Sequence, residues 1–172
     1  MMDRDQLKEA QAPLKERYRD DADAALVTLS AEGELGEGVS CTLAGGRALA
    51  EAGLHPAAGG DGSLLCSGDM LLEALAACAG VTLRAVATSL GIAVEGGRVR
   101  AEGDLDFRGT LAVDRDAPVG FRAIRLAFDL RSEANEQELE TLLKLTERYC
   151  VVLQTLAAAP ELTASITTAE AL

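Results

Sequence analysis

The most apolar part of the chain is a long central run. The 20 residues that follow Asp69 contain only two charges, Glu73 and Arg84, among many helix-forming Leu, Ala and Met residues. This pattern predicts a helix over residues 69–89 that is apolar nearly all round and therefore buried on most sides. Its expected capping residues are Ser67 or Asp69 at the start and Gly91 just beyond the end.

Two later segments alternate apolar and polar residues. They cover residues 99–107 and 124–130, with turn-forming residues around Pro118 between them. A period of two is typical of a strand that has one face in water. The two segments therefore predict an antiparallel pair of strands.

A second helix is predicted after these strands. Asn135 and Glu138 have the spacing of a capping box, in which each residue bonds the backbone of the other. Apolar residues then continue at helical spacing over residues 139–156, with Cys150 among them. The pattern predicts one long amphipathic helix that carries Cys150 on its apolar side and ends before Pro160.

The remaining segments complete an α+β domain. They are a surface helix over residues 3–19 within an accessory segment of residues 1–22, strands over 24–30 and 38–44 joined by a turn at 33–38, an irregular loop over 53–68, and a last strand over 162–166. We expect a single domain over residues 23–172.

The charge balance excludes nucleic acid as a partner. The 172 residues hold 16 Lys and Arg against 28 Asp and Glu, a net charge of −12, with no Trp. Such a surface repels phosphate and offers little for base stacking.

The charged N-terminus lacks the apolar core of a signal peptide, so we expect a cytoplasmic protein. The longest uncharged apolar stretch, residues 74–83, is about half of a membrane span, so we expect no membrane segment.

Cysteines are the main candidates for chemistry. They stand at positions 41, 66, 78 and 150 without a CxxC pair, and the chain has one His, so we expect no metal and no cofactor. The default interpretation of each is a small buried apolar residue. If the two predicted helices pack together, Cys78 and Cys150 can reach disulfide distance, whereas Cys66 and Cys78 lie about 15 Å apart along the chain. A thiol in mid-helix gains nothing from its own helix dipole, so Cys78 needs an Arg or another donor.

Four further residues need an interpretation, and the first, His55, is expected to be a loop residue because no Ser, Asp or second His stands at a recognisable spacing from it. Asp69 is a helix cap or a catalytic carboxylate, and Cys66 is a loop residue or a third redox thiol beside a helix start. Glu73 requires a cation partner in an apolar helix, which suggests Arg84 or a second subunit.

Two cysteine-containing stretches carry a family resemblance. DMLLEALAAC at residues 69–78 follows the Gly-rich GGDG at 59–62, and ERYC occupies residues 147–150. The first resembles the ELLLAALGAC helix, and the second the EKYCPV motif, of the OsmC/Ohr family of osmotically inducible and organic hydroperoxide resistance proteins. The segments at 103–111 and 120–126 are also similar, so the resemblance spans about residues 24–168.

The resemblance implies an OsmC-like α+β fold, with antiparallel sheets packed around two long central helices in an intertwined homodimer. It implies active sites at the subunit interface, where one thiol of Cys78 and Cys150 attacks a peroxide oxygen and the other resolves the sulfenic acid as a disulfide. Asp69 would stand at the place of a family Glu. The implied partners are a second copy of the chain, a small hydrophobic peroxide and a dithiol reductant.

Three departures define an alternative. The family's activating Arg has no counterpart between residues 29 and 41, Val151 replaces the Pro that normally follows the second cysteine, and Asp69 is one methylene shorter than Glu. The alternative hypothesis is an OsmC-like dimer that binds a small apolar ligand and has little or no catalytic activity.

Overall fold

The computed structural model describes residues 4–6, 9, 33–35, 40–45, 48–112 and 114–167. Residues 4–6 and 9 are helical, while most of the predicted N-terminal helix and the whole predicted strand over 24–30 lie outside the described residues.

A four-stranded sheet precedes the central helix. Its strands are β1 (Gly33–Leu35), β2 (Ser40–Gly45), β3 (Ala48–Gly53) and β4 (Leu65–Cys66), arranged in chain order. The β1–β2 and β2–β3 pairs are antiparallel, and β4 runs parallel to β3. The prediction of a turn at 33–38 was therefore wrong for its first three residues, and β3 was not predicted at all.

The central helix, α1, spans Ser67–Leu90. Gly91 ends it as predicted, at φ +74°, where its N–H donates to the carbonyls of Ala87 and Thr88. The predicted start was wrong, because Cys66 is the N-cap and no side chain caps the first turn. Asp69 instead lies within that turn, where its negative charge is favourable.

Only one stripe of α1 is buried within the protomer. It consists of residues four apart, Leu75, Ala79, Leu83 and Ala87. The expectation of burial on most sides was wrong for the single chain, since Val81 is 72% exposed. By length and composition α1 could also cross a membrane, although core helices of soluble proteins meet the same criteria.

Two long strands form a second sheet against α1. They are β5 (Gly96–Leu105) and β6 (Phe121–Arg131), and they pair antiparallel as predicted, with Val99 opposite Phe128 and Ala101 opposite Leu126. The apolar residues of this register pack towards α1. The predicted strand ran too far, because Phe107 begins a short helix, α2 (Phe107–Thr110).

The second long helix is interrupted at a cysteine. Helix α3 (Glu136–Tyr149) begins with the predicted capping box of Asn135 and Glu138. Cys150 then adopts an extended conformation with ψ 105°, and a separate helix, α4 (Val151–Ala157), follows. The prediction of one continuous helix was wrong, because the turn at Cys150 redirects the chain so that α4 packs on the same core.

The C-terminal segment does not form the predicted strand. Residues 158–167 have no regular structure, and Leu162 and Ile166 are 82% and 94% exposed. A strand requires a neighbouring edge for its backbone hydrogen bonds, and among the described residues the segment pairs with no strand.

Candidate functional site

Cys78 and Cys150 lie together where α1 meets the junction of α3 and α4. Cys150 is completely buried with Leu75 and Ala79, and the partly buried Cys78 packs against this cluster. Both are free thiols, and they are close enough that each affects the pKa of the other. The two helical cysteines therefore lie in one cluster within one chain, and a disulfide between them stays a prediction.

The interruption at Cys150 frees backbone N–H groups beside these sulfurs. The first hydrogen bond of α4 runs from the Gln154 N–H to the Cys150 carbonyl at 2.9 Å, so the preceding N–H groups of α4 have no helical partner. A side chain bridges the break, because Gln154 Nε2 donates to the Glu147 carbonyl at 2.9 Å. The break is thus held at a fixed geometry with donors pointing into the site.

These N–H groups lower the pKa of Cys78. The largest cause is the hydrogen bond from the Val152 backbone N–H, opposed by burial, and further hydrogen bonds come from Cys150, Thr82 and the Val151 N–H. No Arg or Lys among the described residues contributes to this shift. The expectation that Cys78 requires a donor outside its own helix is met by backbone amides of α4.

The pKa of Cys150 moves in the opposite direction. Burial is the main cause that raises it, the backbone N–H of Leu153 partly offsets burial, and the neighbouring Cys78 raises it further. A negative charge in this pair is consequently favoured on Cys78, while Cys150 retains its proton.

Asp69, also predicted to be catalytic, lies away from this pair. It is exposed in the first turn of α1, nine residues before Cys78, which is about 13 Å along the helix axis. Within the protomer no contact joins it to Cys78 in the described part of the chain, and its catalytic role stays a prediction.

The other singled-out residues also lie apart from the thiols. Cys66 is a half-buried free thiol at the N-terminal end of α1, about 18 Å before Cys78 in helical rise. Glu73 is exposed, and Arg84, its proposed partner, donates to the Val94 carbonyl instead. His55 accepts a hydrogen bond from the Ala57 N–H at 3.0 Å and stacks on Phe107, which suits a loop residue.

A groove borders the cysteine cluster. It has a volume of about 430 Å³ and runs between β6 and the α3–α4 junction. Leu126, Leu153 and Leu156 line it and also pack against the core cluster that contains Cys150. Arg122 and Glu147 lie along it as charged residues. The groove therefore presents aliphatic and aromatic side chains beside two charged ones, one layer of side chains away from the thiols.

Comparison with known sequences matches this arrangement to a family. A sequence model of the OsmC-like protein family fits residues 60–165, which is more than half of the chain and includes both cysteines. The chain belongs to the OsmC-like protein family. The resemblance that the two cysteine motifs indicated is confirmed, although no curated protein matches the chain.

Solved OsmC-like structures share the fold. The OsmC-like protein from Mycoplasma pneumoniae is 20% identical with a TM-score of 0.65, covering 77% of this chain and 89% of that one. The organic hydroperoxide resistance protein OsmC from Legionella pneumophila is 19% identical with a TM-score of 0.58, covering 77% and 91%. The organic hydroperoxide resistance protein OhrB of Bacillus subtilis is 16% identical with a TM-score of 0.57, covering 77% and 93%. At these identities the likeness establishes a mixed helix and sheet fold of the OsmC type.

Proposed function

We propose that this OsmC-like protein is a thiol-dependent peroxidase that reduces organic hydroperoxides through Cys78 and Cys150. The observation that carries the proposal is that the surroundings lower the pKa of Cys78 and raise the pKa of the neighbouring Cys150. This difference provides one nucleophile and one protonated partner. Family membership and the organic hydroperoxide resistance proteins among the structural neighbours support the same chemistry.

The two thiols divide the reaction into two steps. The Cys78 thiolate attacks the terminal oxygen of R–O–OH, the O–O bond breaks, and the leaving RO⁻ takes a proton to become the alcohol. Cys78 is thereby oxidised to a sulfenic acid. The Cys150 sulfur then attacks the Cys78 sulfur, which releases water and leaves a disulfide. A dithiol reductant returns both residues to thiols by exchange, so one dithiol and one peroxide give one disulfide, one alcohol and one water.

The surroundings of the pair favour an apolar peroxide. Cys150 is fully buried among aliphatic side chains, and the nearby groove is lined mainly by Leu, Ile and Phe residues. An alkyl or aryl group gains from leaving water for such a surface, whereas hydrogen peroxide has no apolar part to bury.

A homodimer is part of the proposal. The exposed side of α1 carries Ala74, Ala77 and Val81, which form an apolar stripe next to Cys78. The C-terminal segment exposes Leu162 and Ile166 with a strand-like alternation but pairs with no strand in the described part of its own protomer. A second copy would cover both surfaces, and because the α1 stripe adjoins Cys78, it would also close the active site. We place this dimer in the cytoplasm.

Peroxide consumption tests the activity. The reduced protein is incubated with cumene hydroperoxide and a dithiol, and peroxide loss is followed over time. We expect Cys78→Ser to abolish turnover, Cys150→Ser to stop recycling after one oxidation, and the matched control Cys66→Ser to behave as wild type. Turnover that survives Cys78→Ser would refute the assignment. No turnover together with slow, ordinary alkylation of Cys78 would favour the ligand-binding alternative.

A further inference from the structure

The hydroxyl of Thr82 lies at the reacting thiol. Thr82 follows Cys78 by four residues on α1, and its Oγ1 donates to the Cys78 backbone carbonyl at 2.8 Å. Side chains on a helix lean towards its N-terminus, so this hydroxyl is directed at the turn that carries Cys78. Side chains four residues apart on a helix are neighbours, so the hydroxyl also adjoins the Cys78 side chain, and it is among the groups that lower the pKa of that thiol. A single hydroxyl proton therefore has two acceptors on one residue.

We propose that Thr82 is a positioning residue for the thiolate, and that its hydroxyl redirects its hydrogen bond from the Cys78 carbonyl to the Cys78 sulfur when that sulfur ionises. The inference rests on the proposed function, since it assigns a role in forming the nucleophile. The hydroxyl has to turn only from the carbonyl to the side chain of the same residue, because Thr82 and Cys78 are neighbours on one face of α1.

The exchange of acceptors is favourable for two reasons. The Cys78 carbonyl keeps its ordinary helical hydrogen bond from the backbone N–H four residues later, so it is not left without a partner. The thiolate is charged, and hydrogen bonds to charged acceptors are stronger than those between neutral groups. Thr82 is partly buried, which limits the competition from water for the same sulfur.

Other threonines show that the carbonyl bond alone is ordinary. The hydroxyls of Thr88, Thr141 and Thr155 make the same bond to a carbonyl four residues earlier, at 2.8 to 2.9 Å. Back-bonding of this kind is common for threonine in helices. Thr82 differs from these because the residue four positions before it is the low-pKa cysteine. Thr88, on the same helix and bonded to the Arg84 carbonyl, is therefore a matched control.

The test is the pH profile of Cys78 alkylation in the full chain. Rates are measured with iodoacetamide across the titration range and quantified on the Cys78 peptide by mass spectrometry. We expect Thr82→Val to move the profile to higher pH and to slow alkylation near neutral pH roughly three- to tenfold, as one hydrogen bond to a charged group predicts. Thr82→Ser, which keeps the hydroxyl, should restore the wild-type profile, and Thr88→Val should leave it unchanged.

The outcomes separate this inference from the proposed function. An unchanged profile in Thr82→Val, or a Thr82→Ser profile as shifted as that of Thr82→Val, overturns the role of Thr82. Failure of the wild-type protein to consume cumene hydroperoxide overturns the proposed function. The alkylation profile still tests the role of Thr82 in that case, because it does not depend on peroxide turnover. Circular dichroism checks the fold of each variant, and Thr82→Ala replaces Thr82→Val in the comparison if the valine variant does not fold.

Discussion

Replacing Val151 by proline is the sharpest test of how Cys78 is activated. Val151 is the first residue of α4, and its N–H donates to the Cys78 sulfur. Proline lacks an N–H but is favoured at the first position of a helix, where no helical hydrogen bond is lost. The preceding Cys150 already has the extended conformation, with ψ 105°, that a residue before proline requires. The substitution therefore removes one donor and preserves the local fold.

The size of the effect follows from the number of donors on the sulfur. A hydrogen bond to a charged group contributes about 1.5–3 kcal/mol. The Cys78 thiolate receives several such bonds, and that from Val151 ranks below those from Val152, Cys150 and Thr82. We expect Val151→Pro to destabilise the thiolate by no more than about 1.5 kcal/mol, the lower end of this range. This corresponds to at most roughly a tenfold decrease in alkylation rate near neutral pH.

Alkylation kinetics of the Cys78 peptide as a function of pH provide the assay. Because the folded-state pKa of Cys78 lies below its ordinary value, the wild-type rate should rise at lower pH than that of a model thiol. Val151→Pro should shift this rise to higher pH. Val151→Ala, which keeps the N–H, is the control and should match wild type. Identical profiles for the proline and alanine variants would show that backbone donation at this position does not activate Cys78.

Other predictions follow from the same structure. Stoichiometric peroxide should link Cys78 to Cys150 within one chain, and a Cys66 crosslink in the peptide map would contradict the two-cysteine mechanism. Leu142→Ala should lower the free energy of unfolding in urea by about 2–5 kcal/mol, since the side chain is only 1% exposed; a loss below about 1 kcal/mol would show that the site collapses around the cavity. Asn135→Ala should cost about 1 kcal/mol in the same assay, because alanine removes the side-chain oxygen that accepts from the Glu138 N–H; an unchanged midpoint would count against the cap.

Periodicity predicted the elements that pack on one face. The alternation that places Val99 and Ala101 on the same side as Leu126 and Phe128 is visible in the sequence, and the register of β5 and β6 confirms it. The capping box of α3 was equally visible, because it depends on two residues three positions apart. Such patterns can be predicted from the sequence because each depends only on residues a few positions apart.

The interruption at Cys150 left no such signal. Leu142, Thr146 and Leu153 continue the helical spacing across it, so the pattern is that of one helix. The chain bends there because α4 packs Val152, Leu153 and Leu156 onto the core beneath α1.

The C-terminal segment shows the converse case. Its alternation predicts a strand, but a strand forms only where an edge is available, and that edge is not part of the sequence pattern.

The opposite pKa shifts of the two thiols arise from the interruption at Cys150. Cys78 and Cys150 are chemically identical and lie in one cluster, so their difference must come from the groups around them. An uninterrupted helix would use the N–H groups of Val151 and Val152 in its own hydrogen bonds and leave none for Cys78. The break releases them towards Cys78 while it buries Cys150, and one backbone feature thus lowers one pKa and raises the other. A search for a charged side chain near the cysteine misses this arrangement, because backbone donors are present at every residue except proline.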